Sequence, residues 1–337
     1  MKKSLFISLL FVDSVAFAGN LENPLYLPTY GEFYSKTGAA IMYKRADSTE
    51  AQITKHHDGA VEFPIWRFTE DLGLGLNDRL ALTGRFGWTH DGHINRKGLH
   101  RGRIGLTYRI LSEQSPIILD VYADAYLSGL MAMQGSYSSD GFTYDNYSNG
   151  RWGVYAGTRF GKTWDRFTLA GYVEYLQTFG SHNNKIKIDQ NMIVKDGTPY
   201  TMAMAGMPSE ISVDLASNHE VNFGVNGFYD LSEKWSIGGG FEFVQHSDNS
   251  VKSIHTELNT PASQTLQDSV VNGLLAQTAD MEDGWDEYII KVLAAYQMTE
   301  NVQLAAFAEY TFDNSHPQSQ NGTDIKAELG MRVNVSF

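Results

Sequence analysis

Cysteine is absent from the 337 residues, which rules out disulfide staples, a lipoprotein anchor and any cysteine–histidine cluster. Long apolar runs are missing too. Past the first eighteen residues nothing supplies the about 20 continuous apolar positions that a membrane-spanning helix needs. Positive charge is scarce: 26 Lys and Arg stand against 39 Asp and Glu, a net charge of −13. A nucleic-acid partner would need a basic footprint, so none is expected. No P-loop, dinucleotide fingerprint or zincin motif occurs, and no repeat, low-complexity tract or domain linker divides the chain. No cofactor is expected.

What is present is alternation. Thr323 to Phe337 reads TDIKAELGMRVNVSF. Ile325, Ala327, Leu329, Met331, Val333, Val335 and Phe337 fall on one side, and Asp324, Lys326, Glu328, Gly330, Arg332, Asn334 and Ser336 on the other. A period of two with one apolar and one charged face fits a strand between lipid and water. Mean hydropathy is negative although aromatic residues reach 12%, as befits a membrane protein whose strands each turn half their residues to water. Similar strands are expected at about 33–44, 61–76, 79–90, 99–111, 116–128, 151–162, 166–179, 219–231, 234–246, 285–298 and 301–312. Pro64 and Glu70 interrupt the second of these, and Ser35 falls on the apolar side of the first.

The connections set the topology. Leu76–Arg79, Ser112–Ser115, Gly161–Asp165, Ser232–Glu233 and Met298–Asn301 are tight, whereas 45–60, 91–98, 129–150, 180–218, 247–284 and 313–322 are long. Strict alternation of short and long connections, with an even count of strands, closes a sheet and removes its edges. The expected fold is all-β: a transmembrane antiparallel up-and-down barrel of about 12 strands, with short periplasmic turns and long extracellular loops. Trp88, Trp152, Trp235, Trp285, Tyr108, Tyr229, Tyr296 and Phe312 near strand ends suit interfacial girdles. The stretch around Gly330, Val333, Val335 and the aromatic Phe337 resembles the C-terminal assembly signal of Gram-negative outer-membrane β-barrels. That resemblance implies an outer-membrane location, recognition by the barrel-assembly machinery, and contact with outer-membrane lipids and lipopolysaccharide. It includes small porin-like channels and solitary autotransporter-type β-domains.

The first residues have the parts of a secretory signal: Lys2 and Lys3, a short apolar run broken by Asp13, then Ala16-Phe17-Ala18. Residues 1–18 are therefore expected to be a signal peptide, 19–32 a periplasmic lead-in too short for a passenger domain or a pore-threading helix, and 33–337 the barrel. Leu329→Arg is expected to block assembly and Asn334→Ala to be tolerated.

The lumen face carries the candidate chemistry. Arg79, Arg85, Arg101, Arg103, Arg109, Arg159 and Arg332 form an expected basic wall, to which Lys36, Lys44, Arg151 and Lys326 add. Asp120, Asp124, Glu174, Glu242, Glu287 and Glu309 form an acidic wall, with Glu220, Asn222, Asn226 and Asp230 beside them and Lys291 among them. Ionised groups do not stay dry and unpaired, so such a lumen is wet or filled with cross-barrel ion pairs. A wet lumen makes a passive diffusion channel for small polar or charged solutes, with a transverse field that orients them. A filled lumen makes a non-conducting barrel that displays its outer loops. The basic wall resembles, in residue type, the arginine tracks of twelve-stranded channels for acidic oligosaccharides.

Other motifs weigh less. Tyr147-Ser148-Asn149-Gly150-Arg151 is similar to the S-N-G-R run of outer-membrane phospholipase A, but the general-base position holds Asn146, which cannot take the proton. No catalysis is expected. All ten histidines fall in long loops or at their roots. His56, His57, His90 and His93 are spaced as transition-metal ligands, yet histidine is also what wet loops tolerate and the lipid face excludes, and no metal site is assigned. Met131, Met133, Met202, Met204 and Met207 read as gap fillers. A hairpin around Lys195–Thr198 and a helix after Pro261, with Leu266, Val270, Leu274 and Leu275 on one face, are expected in the two longest loops.

Overall fold

The computed structural model describes residues 20–45, 65–91, 96–127, 134–139, 142–146, 151–188, 208–247, 251–255, 284–314 and 325–337, with a few single positions between. The expected signal peptide, His56, His57, His93, Ser148, most of the methionines, the hairpin tip and the helix lie outside these residues.

Twelve strands form the ring. They are β1 (Phe33–Arg45), β2 (Ile65–Asn77), β3 (Leu80–Asp91), β4 (Arg96–Leu111) and β5 (Ile118–Tyr126), then β8 (Gly153–Trp164), β9 (Phe167–Thr178), β12 (His219–Asp230), β13 (Trp235–His246), β15 (Trp285–Gln297), β16 (Val302–Asn314) and β17 (Ile325–Ser336). Each pairs antiparallel with the next, and β17 returns to β1 with Tyr34 opposite Ser336. The ring is closed, so it has no unpaired edge. Phe33 and Phe337 exchange backbone hydrogen bonds of 3.1 and 2.8 Å, and their rings stack at 6.2 Å.

Five further strands stand outside the ring: β6 (Gln134–Ser139), β7 (Phe142–Asn146), β10 (Ser181–Ile188), β11 (Glu210–Leu215) and β14 (Val251–His255). They pair in the order β4–β6–β7–β10–β11–β14. One side of the wall therefore continues past the outer ends of its strands.

Alternation sorts the faces. Phe68, Leu74, Leu106, Phe160, Val173, Phe223, Val292, Leu329 and Met331 are exposed on the outside, as lipid-facing positions are. Tyr108, Trp164, Tyr229 and Trp235 lie at the periplasmic ends of their strands, and Trp66, Trp152 and Phe312 at the outer ends, forming two girdles. Lys162 reaches over the Trp164 ring at 5.9 Å and so keeps its ammonium at the periplasmic girdle. Gly330 points inward, where a Cβ would meet Phe307 at 2.3 Å and Ala40 at 2.8 Å. The glycine makes room for that ring, which in turn carries the Arg332 guanidinium 4.9 Å from its centroid.

Candidate functional site

The expected lead-in lies within the periplasmic end of the barrel. Residues 20–32 fold into consecutive turns. Asn20 and Asn23 side chains accept from the backbone N–H of Glu22 (3.2 Å) and Leu25 (2.9 Å), the turn chemistry that asparagine favours. Thr29–Glu32 forms the last turn. Gly31 takes a positive φ of 77° and donates to the Gly75 carbonyl, while Gly75 donates back to Glu32. The two backbones approach so closely that a Cβ on Gly75 would stand 1.7 Å from the Thr29 carbonyl oxygen. Only glycine fits there. Burial and the adjoining Glu32 carboxylate hold the Tyr26 hydroxyl above the ordinary phenol range, so it stays a donor to Glu32 at 2.5 Å.

The wall grips this segment all round. Asn20 donates to Asp230 (3.1 Å) and Ser236 (2.8 Å) and accepts from Gln303 (2.7 Å). Glu22 takes Arg332 at 2.8 Å and Asn334 at 2.7 Å. Asn23 donates to Thr168 at 3.2 Å. Lys36, Arg109 and Arg159 donate to the carbonyls of Leu21, Leu25 and Tyr26. Leu25 packs against Ile118 and Ala170 in the buried core, and Leu21 and Leu27 are buried as well. A fully buried leucine contributes roughly 1.5–3 kcal/mol, and a hydrogen bond to a charged group about 1.5–3 kcal/mol. The segment is a fitted plug. It lies across the periplasmic level of the lumen, where Asp120 and Asn334 are 0% exposed.

Above the plug the lumen is charged, and two of its cations stay accessible. The Arg85 side chain, bidentate to Asp71 at 2.7 and 3.1 Å, is 55% exposed although it points inward. Lys291, bound to Glu242 and 4.0 Å from Glu309, is 35% exposed. Arg67 reaches Glu328 across β1 at 3.0 Å. Arg103 reaches Glu174 at 2.7 Å and Asp124 at 3.6 Å, with its guanidinium over the Tyr155 ring at 5.0 Å. A polar chain continues outward: Asn222 joins Glu174 to Glu220, and His246 stands between Glu220 (3.1 Å) and Glu287 (3.7 Å).

The two expected walls are therefore not cleanly separated. Asp120 lies on β5 between the arginines of β4 and β8 and takes both, Arg109 at 2.8 Å and Arg159 at 2.5 Å. Asp124 likewise faces Arg103. Both belong to the basic side and neutralise it, because adjacent strands place opposite charges within ion-pair reach. Glu174, Glu242, Glu287 and Glu309 do share the other side, on β9, β13, β15 and β16. Arg109, Arg159 and Arg332 hold the plug. Arg79 sits exposed in the periplasmic turn, beyond the wall. The side chains of Lys44, Arg101 and Lys326 lie outside the described residues. Among the described residues no three His, Asp or Glu side chains are set to hold a metal. His90 stacks on Trp88 and His219 on Tyr175, while His255 meets Asp214 at 2.9 Å.

No family model matches the chain, and no curated protein does. Among solved structures, an outer membrane channel from Pseudomonas putida F1 aligns over 97% of this chain and 100% of its own, with a TM-score of 0.50 and 13% identity. The NanC porin aligns over 90% and 98% with a TM-score of 0.40 and 10% identity. The transport unit of the autotransporter AIDA-I from Escherichia coli aligns over 94% and 95% with a TM-score of 0.42 and 12% identity. The first shares the fold: this chain is a closed twelve-strand antiparallel barrel of the outer-membrane kind.

Proposed function

We propose that this chain is an outer-membrane channel of a Gram-negative bacterium for small polar or charged solutes, closed at its periplasmic end by residues 20–32 and opened when they leave. The observation that carries the reading is the exposure of inward-pointing charges above the plug, Arg85 foremost. Charged groups keep water around them only where there is room for it, and a water-filled barrel conducts once its ends are open. Lipid and lipopolysaccharide surround the outside, and the barrel-assembly machinery inserts the chain. The turn Thr29–Glu32 against Gly75 is the anchor about which the rest of the plug swings.

Plug seating favours one rival, a barrel sealed for good that displays its raised outer wall. Planar-bilayer recording of the refolded protein decides between them. Cysteines at Asn23 and Thr168, whose side chains meet at 3.2 Å, can be bridged by oxidation or a short bis-thiol reagent. Steps that vanish on bridging and return on release support the channel. Silence in the wild type and in a folded barrel lacking residues 20–28 rejects it.

A further inference from the structure

Glu70 breaks the apolar band. Its neighbours Arg67 and Asp71 point into the lumen, where they meet Glu328 and Arg85. Phe68 and Leu74, on the parity of Glu70, are exposed to lipid. Glu70 lies close to midway between Trp66 at the outer end of β2 and Leu76 at its periplasmic end. Among the described residues no other charged side chain faces lipid between the girdles; Lys162 lies at the periplasmic one. An ionisable group at that depth is costly, and such groups as a rule mark function.

The carboxylate is held in place. Ser35 and Thr37, on the lipid side of β1, donate to its two oxygens at 2.5 and 2.6 Å. Those hydroxyls use one lone pair of each oxygen and bring no positive charge. On β3 it faces Phe86, and small residues flank it, with Ala39 opposite Phe68 and Gly84 opposite Leu72. The result is an oriented carboxyl group on the lipid face with aromatic and aliphatic neighbours.

We propose that this site binds a protonated amine carried on an apolar body, a cationic amphiphile dissolved in the membrane. Charge complementarity selects the amine, because an N–H donor with positive charge is the component that the Ser35–Thr37–Glu70 cluster lacks. Depth selects the apolar body. Phospholipid ammonium groups lie about 15 Å away, half the hydrocarbon thickness, and a bare inorganic cation would have to shed its water. A second copy of the chain brings more hydroxyls and another carboxylate, not a cation.

The test uses the full-length barrel refolded in phosphatidylcholine vesicles, with a dodecylamine that carries a diazirine in its chain as probe. Photolabel is expected on the lipid-facing residues of β1, β2 and β3. Unlabelled dodecylamine should compete for it, and dodecanol should not. Glu70→Gln should reduce it roughly tenfold or more, the effect of losing one charge-assisted hydrogen bond. Label spread evenly round the barrel, or unchanged in Glu70→Gln, overturns the proposal. So does a wild-type dimer, absent in Glu70→Gln, that shields the site from label, since the occupant would then be a second copy. None of these outcomes depends on conduction, so the channel reading stands or falls separately.

Discussion

Two levels of one lumen are built from the same residue types and differ in everything else. At the periplasmic level Asp120, Arg109, Gln303 and Asn334 are buried against residues 20–28. In the middle, Arg85 and Lys291 pair with Asp71 and Glu242 on the wall and still reach open space. A charged interior is thus neither wet nor dry by composition. What decides is whether a polypeptide with matching carbonyls and carboxylates lies across it, because buried ions need partners on every side and solvated ones do not.

Removing the plug tests that contrast most directly. Deletion of residues 20–28 should convert the periplasmic level into a second open level and raise single-channel conductance several-fold. Asp120→Ala should come next. It leaves Arg109 and Arg159 without their carboxylate and should cost about 3–5 kcal/mol, read as a fall in the unfolding midpoint of the refolded barrel. Asn334→Ala should cost about 1–3 kcal/mol by stripping donors from Glu22 and Gln303; equal stability to wild type would mean that the plug is loosely seated. The like-for-like substitution one level up, Arg85→Ala, should change stability by about 1 kcal/mol or less, as solvated pairs do. Its effect belongs in permeation instead. Arg101→Glu with Arg103→Glu should move the reversal potential in an asymmetric salt gradient toward cation preference, and an unmoved potential would take Arg103 off the solute path.

The barrel was legible because its signal is repeated. All twelve expected strands overlap the ring, from 33–44 against Phe33–Arg45 to 323–337 against Ile325–Ser336, since lipid and water impose the same alternation on each of them. The plug was not legible. Residues 20–32 alternate with no period, and their leucines, asparagines and prolines look like any connecting segment until the wall that receives them is in place. Asn334 shows the consequence: the alternation puts it on the water side, where alanine is harmless, but the plug buries it. Pairing between neighbouring strands was equally hidden. Asp120 and Arg109 lie on successive strands, yet nothing in either stretch says that Arg159 will take the same carboxylate from the other side. The strands β6, β7 and β14 escaped notice because, lying beyond the membrane, they carry no lipid-facing stripe, whereas β10 and β11 pair within the loop where a hairpin was expected. Glu70 was visible as an interruption, and the structure turns that interruption into a place.

The plug precedes β1 directly, and Thr29–Glu32 pins it to Gly75. On the proposed channel reading, a plug tethered this way competes for its own seat at an effective concentration set by the tether, on the order of millimolar for a short flexible link. A barrel stripped of residues 20–28 would therefore need the free peptide at about that concentration before it closed again. Solutes reaching the lumen at micromolar levels would have to bind the wall far more tightly than the plug's own side chains do if they were to hold the channel open by competition alone.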